Sequence, residues 1–234
     1  MKHLPDWRLY LVTDRSLARG RSITCVVEAA VRGGVTAVQL REKSCSTRDF
    51  VQLGRELKKL LAPLRVPLII NDRVDIALEI GADGVHIGQQ DMDPEGARRL
   101  LGPDAIIGLS IETIEQARAA VTLDVDYLGV GPVFATATKI DAAPPLGVAA
   151  LTQVRAIARH AIVAIGGIGM ENVRQVIHSG ADGVAIVSAI CAADDPERTA
   201  RELRQSIDAA HRGQRSDKRR LGRGVPDLSN HLPG

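Results

Sequence analysis

The chain has 234 residues, 45% apolar and 25% charged, enough to bury a full core and unlike a disordered or fibrous composition. Aromatic residues make up only 2% and the three cysteines, Cys25, Cys45 and Cys191, lack CxxC spacing, which excludes a base-stacking platform, a disulfide framework and a zinc site. The formal net charge of +2 is uneven, because residues 212–234 carry six Lys/Arg against two Asp and leave the remainder mildly acidic. Their charge, Gly and Pro predict a disordered basic tail behind one folded domain of residues 1–211.

The elements alternate from the start. RLYLVTD reads as a strand, ITCVVEAAVRGG as an amphipathic helix, TAVQL as a strand, RDFVQLGRELKKLLA as a helix and VPLII as a strand. The alternation continues through DIALEIGADGVHIG, PEGARRLLGPDAIIGLS, EQARAAVTLDVDYLGVG, VAALTQVRAIARHAIVAIGG and MENVRQVIHSGADGVAIVS, about eight strands in all. One phrase recurs: GGVTAVQL, GADGVHIG, DVDYLGVG and GADGVAIVS each set a small or acidic turn residue ahead of a strand, as a helix closed by Gly would. Eight such units, with no GxGxxG after the first strand, predict an α/β fold of the single (β/α)8 TIM barrel type rather than a doubly wound sheet. Right-handed crossovers then gather the C-terminal strand ends on one face, where barrel chemistry belongs. No run approaches the roughly 18 apolar residues of a membrane span, and MKHLPDWRLYLVTD has no secretory apolar region. The expectation is a cytoplasmic protein with neither membrane nor nucleic-acid partners, and a homo-oligomer is compatible with it.

The polar residues at the strand ends carry the functional reading. TAVQL runs into Gln39, Arg41 and Lys43; VPLII into Asn71 and Asp72; GVHIG into Gln89 and Asp91. The fifth strand ends in Ser110, the sixth leads to Thr136, Thr138 and Lys139, the seventh ends in Gly166-Gly167 and the eighth in Ser188. Asp72 taken alone reads more simply as a helix N-cap, Asp91 as a turn residue, and His86 as a packed barrel-lining residue rather than a base. Two carboxylates from neighbouring strand ends beside three cations point further, to Mg2+, which keeps waters and shares its coordination with phosphate oxygens. Gly166-Gly167 and the VSAI stretch fit a barrel phosphate site made of backbone N–H groups. The mouth therefore holds two expected anion sites, one cationic and metal-assisted, one built from backbone and hydroxyls.

QLREK at 39–43, NDR at 71–73, HIGQQD at 86–91, GLS at 108–110, GPVFATATK at 131–139, GGI at 166–168 and VSAI at 187–190 occur in this order. In this ordered set the sequence resembles the thiamine phosphate synthase family over about its first 210 residues. Ala135 departs from it where the family often has Pro, and Arg73 stands where some members carry a second Asp. The resemblance implies a transferase that joins hydroxymethylpyrimidine diphosphate to hydroxyethylthiazole phosphate with Mg2+ and releases pyrophosphate. It implies that Gln39, Leu40, Arg41, Glu42, Lys43, Asn71, Ser110 and Lys139 hold the pyrimidine diphosphate, with Arg41, Lys43 and Lys139 catalytic. Asp72 and Asp91 would bind the metal, and Thr136, Ala137, Thr138, Gly167, Val187 and Ser188 the thiazole phosphate. A related thiazole tautomerase and a noncatalytic sensor of a phosphorylated ligand are the alternatives. Neither has an evident use for two acids facing three cations.

Overall fold

The computed structural model describes residues 5–136, 138 and 143–221, with the backbone alone for 215–221. Its strands are β1 (Leu9–Val12), β2 (Ala37–Leu40), β3 (Leu68–Asn71), β4 (Gly84–Ile87), β5 (Ile106–Ile111), β6 (Tyr127–Val130), β7 (Ala161–Ile165) and β8 (Gly183–Ile186). They pair in chain order, all parallel, and β8 returns to β1 to close the barrel. The helices are α1 (Ile23–Arg32), α2 (Thr47–Leu61), α3 (Val74–Ile80), α4 (Pro94–Leu101), α5 (Ile114–Ala119), α6 (Gly147–Ile157), α7 (Val173–His178), a one-turn α8 (Ser188–Cys191) and α9 (Pro196–Leu221). The predicted TIM barrel is therefore the fold. The last helix crosses the expected boundary at residue 211 and runs to Leu221; residues 222–234, the rest of the expected tail, lie outside the described residues.

Local sequence explains α2. Ser46 caps α2 by accepting from the Asp49 N–H at 3.1 Å, and Phe50, Gly54, Leu57 and Leu61 recur on its buried face. Gly54 lets α2 settle on α3, since a Cβ there would stand 2.7 Å from Ile80 Cδ1.

Strand side chains alternate between two apolar layers. Val38, Leu40, Leu68 and Ile70 point outward into the layer beneath the helices, whereas Tyr10, Ala37, Ile69, Tyr127 and Val163 fill the barrel interior. Trp7 lies beneath this interior cluster, its ring centroid 4.2 Å from that of Tyr127.

The recurring acidic turn residues have a common task at the N-terminal end of the barrel. Asp83, just before β4, accepts from the Leu68 N–H at 2.8 Å and from Lys58 Nζ at 2.7 Å. Asp126 accepts in the same way from Ile107 N–H at 2.7 Å and Arg98 Nη2 at 3.1 Å, and Asp182 from Ile162 N–H at 2.8 Å and Arg155 Nη1 at 3.0 Å. Each carboxylate thus ties a strand start to the preceding strand and to a cation on the helix before it. Thr36 substitutes for the acid ahead of β2, its hydroxyl donating to the Leu9 carbonyl at 2.9 Å.

Candidate active site

All eight strands line one cavity of about 580 Å³ at their C-terminal ends. A larger groove of about 730 Å³ lies between α2 and α3, but it is a surface trough whose charges neutralise one another, as Arg55 does Glu79 at 2.6 Å. Chemistry belongs to the first, where the polar strand ends converge.

Period-two alternation decides which residues of the β2 end face it. Gln39, Arg41 and Lys43 line the cavity. The side chains of Leu40 and Glu42 do not, so within the expected 39–43 run these two can meet a ligand only through their backbone. Leu40 is buried in the outer layer, and Glu42, 2% exposed, is held by Arg15 Nη2 at 3.0 Å. Arg41 is steadied by its N–H donating to Thr13 Oγ1 at 3.0 Å and by its guanidinium on Asp14 at 3.3 Å.

Asp72 is no helix cap: Arg73 occupies the cap position of α3. Instead Asp72 sits in the left-handed region at φ 62°, in a tight turn closed by the Arg73 N–H donating to the Asn71 carbonyl at 2.7 Å. That turn aims its carboxylate into the cavity, where Lys43 Nζ meets it at 2.9 Å. Asp91 closes its own turn by accepting from the Gly88 N–H at 2.7 Å, while Asp93, not Asp91, caps α4. Partial burial pushes the Asp91 carboxyl above the usual carboxylate range, and the adjacent Asp72 charge pushes it further, against the Gly88 hydrogen bond. Two mutually repelling carboxylates are thus held side by side at the rim. Their hard oxygen donors fit a Mg2+ ion that takes its remaining ligands from water and phosphate, and the described residues offer no cluster of three or more His, Cys, Asp or Glu for a softer metal.

Deeper in the cavity, His86 Nδ1 lies 2.8 Å from Tyr127 Oη and its Nε2 2.9 Å from Ser110 Oγ. Tyr127 Oη is 3.0 Å from Tyr10 Oη, which accepts from Gln39 Nε2 at 3.1 Å. Burial depresses the His86 pKa to about 4, the Asp72 charge only partly opposing it, so the ring is neutral near pH 7. Asn71 and Ser110 also line the cavity, as expected. Tyr10 and Tyr127 were not anticipated from the sequence; only their inward register in apolar strands betrays them.

On the opposite wall stand Thr136, Thr138, Gly166 and Val187. Thr136 Oγ1 accepts from the Thr138 N–H at 3.2 Å. Gly166 and Gly167 adopt φ of 98° and 62°, and a Cβ on either would collide with the β6 loop, 2.5 Å from Pro132 Cβ or 2.6 Å from the Ala135 carbonyl oxygen. Gly167 and Ser188 lie exposed beside this wall, outside the cavity lining itself. Ala137 and Lys139 lie outside the described residues.

Comparison with known proteins agrees with this geometry. A family model described as thiamine monophosphate synthase matches residues 9–190, from the first residue of β1 into α8. A thiamine-phosphate synthase of Albidiferax ferrireducens is 57% identical over 202 residues, covering 86% of this chain and 92% of the relative. One from Chloroflexus aurantiacus is 52% identical over 205 residues, covering 88% and 94%. The solved thiamine phosphate pyrophosphorylase from Pyrococcus furiosus superposes with a TM-score of 0.80 at 36% identity, covering 88% of this chain and 97% of its own. A 3-hexulose-6-phosphate synthase, at 18% identity and a TM-score of 0.64, shares the fold alone. With the match running through every strand of the barrel, the chain belongs to the thiamine monophosphate synthase family and is a transferase that forms thiamine phosphate.

Proposed function

We propose that the enzyme joins hydroxymethylpyrimidine diphosphate to hydroxyethylthiazole phosphate in a Mg2+-dependent, dissociative substitution. The observation that carries this reading is the convergence of Asp72, Asp91, Lys43 and Arg41 on one side of a cavity whose other side is lined by Thr136, Thr138, Gly166 and Val187. Asp72 and Asp91 would hold Mg2+, which when bound would supply positive charge to offset that of the diphosphate. Lys43 and Arg41 add donors for the diphosphate oxygens; Lys139, expected to share this role, lies outside the described residues. Gln39, Asn71 and Ser110 orient the pyrimidine.

The C–O bond to pyrophosphate breaks with both electrons leaving on oxygen, and the thiazole nitrogen then gives its lone pair to the pyrimidine methylene carbon. That nitrogen carries no proton, so no general base is required, consistent with a neutral His86 bonded at both ring nitrogens. Charge stabilisation at the leaving group is the main demand on the protein. Thr136, Thr138, Gly167, Val187 and Ser188 hold the thiazole phosphate beside the reacting carbon.

The test is to incubate purified enzyme with both substrates, with Mg2+ or with excess EDTA, and to follow thiamine phosphate and pyrophosphate together. Equal release of both products with Mg2+ and none with EDTA is expected; undiminished turnover in EDTA would overturn the metal assignment.

A further inference from the structure

The polar chain under the cavity has a direction. Gln39 enters it as an amide N–H donor to Tyr10 Oη at 3.1 Å. The Tyr10 hydroxyl, already accepting there, needs an acceptor for its own hydrogen, and Tyr127 Oη at 3.0 Å offers one, which assigns this contact the direction Tyr10 to Tyr127. Tyr127, now accepting from Tyr10, directs its own proton to His86 Nδ1 at 2.8 Å. A neutral imidazole that accepts at Nδ1 carries its hydrogen on Nε2, and Nε2 faces Ser110 Oγ at 2.9 Å. The Ser110 oxygen therefore accepts from His86, and its hydrogen is left to point into the cavity that Ser110 lines.

Packing holds this chain in one arrangement. Tyr127 is clamped between Trp7 and the bare backbone of Gly108, where a Cβ would stand 2.1 Å from Tyr127 Cζ. Gly129 leaves the room that the His86 ring occupies, a Cβ there reaching within 2.7 Å of Cε1. The hydroxyls and the ring cannot be exchanged for another set of partners without moving the barrel wall.

We propose that Tyr10, Tyr127 and His86 are positioning residues that fix the Ser110 hydroxyl as a hydrogen-bond donor, so that the site selects a pyrimidine presenting a bare ring nitrogen and rejects one whose ring nitrogen carries hydrogen. This rests on the substrate reading above and adds to it which atom type is read, and by what means. A mismatched analogue brings a donor against a donor, and a buried unpaired polar group is what gives such sites their selectivity.

Two measurements on the full-length enzyme test it. Nitrogen-15 NMR of the imidazoles at pH 7, with His86 identified by its loss in His86→Gln, reads the tautomer without substrate. A bare Nδ1 and protonated Nε2 are expected, and the reverse tautomer overturns the proposal. The second is the ratio of kcat/KM for the pyrimidine diphosphate over that for its pyrimidinone analogue, whose ring nitrogen bears hydrogen. Tyr127→Phe frees His86 to take either tautomer, so the ratio is expected to fall at least tenfold while KM for the thiazole phosphate changes less than twofold. Tyr10→Phe, which frees Tyr127 to reverse, lowers it in the same direction. A ratio unchanged in both variants also overturns the proposal. Failure of the parent enzyme to form thiamine phosphate at all is a separate outcome: it removes the substrate reading, and the NMR result then decides the tautomer on its own.

Discussion

At Asp72 a single backbone angle determines what the side chain can do. With φ at 62°, its N–H donates to the His86 carbonyl at 2.8 Å and its carboxylate is thrown towards Lys43 rather than back over α3. Asp tolerates this left-handed conformation better than most residues, and strain of this kind persists where the surroundings hold it. Lys43 is 57% exposed, so its removal costs the fold little. Lys43→Ala should lower kcat roughly 100-fold, as loss of a charge partner to a leaving group does, with the thermal midpoint within a degree or so. Steady-state kinetics beside a melting curve check both halves. His86 supports a second expectation. Its ring takes a proton near pH 6.5 in the unfolded chain and near 4 in the fold, so its contribution is complete above 6.5 and is lost as pH falls from 6.5 towards 4. With the ring edge open to the cavity, the loss should be roughly 2 kcal/mol, and His86→Gln should flatten the stability profile across that window in urea titrations. The charged residues of this site were legible because acids and cations after apolar strands stand out. Tyr10 and Tyr127 were not, because an aromatic residue inside an apolar strand looks like ordinary core until the register is known.

Elements were legible to the extent that their periodicity was strong. Eight β-branched runs separated by amphipathic helices leave a closed parallel sheet as the simplest way to bury both sheet faces. Faces within an element follow from the same alternation: Gln39 and Arg41 point inward and Leu40 outward, so counting by two along β2 separates cavity from core. The end of α9 was less legible, because charge and Gly after residue 211 read as a tail while the helix continues to Leu221. Loops after strands are harder still, since their shape depends on tertiary neighbours. The β7 loop is an example: Gly167 is needed because the Ala135 carbonyl oxygen lies 2.6 Å from where a Cβ would stand and because its φ is 62°. Gly167→Ala must therefore displace the β6 loop that carries Thr136 and Thr138. KM for the thiazole phosphate should rise about tenfold or more while KM for the pyrimidine diphosphate stays within a factor of about three, a contrast that steady-state kinetics with each substrate varied in turn will show.

Across the whole molecule, the two ends of the barrel divide stability from chemistry. The C-terminal end exposes strained turns, like-charged carboxylates and glycine loops, all costly to the fold. The N-terminal end carries the compensating order, with Asp83, Asp126 and Asp182 each bracing a strand start and a helix cation at equivalent places in the repeat. The recurrence of GADG-type phrases was visible in the sequence, but its physical purpose was not, since the partners lie on the preceding strand and helix. Of these braces Asp126 is the most enclosed, 11% exposed against an Arg98 that is 15% exposed. Asp126→Ala leaves the Ile107 N–H without that acceptor and the Arg98 guanidinium largely buried with a weakened counter-charge. Removing one partner from such a pair typically costs about 3 kcal/mol, which for a domain of this size lowers the melting temperature by roughly 10 °C. The Asp126 carboxylate is engaged by Arg98 and the Ile107 N–H, outside the cavity lining, while its neighbour Tyr127 turns inward, so kcat measured well below the new midpoint should stay within about twofold of the parent. A stable variant with impaired turnover would contradict the division; a melting temperature lowered with turnover retained would confirm that this end of the barrel carries stability alone.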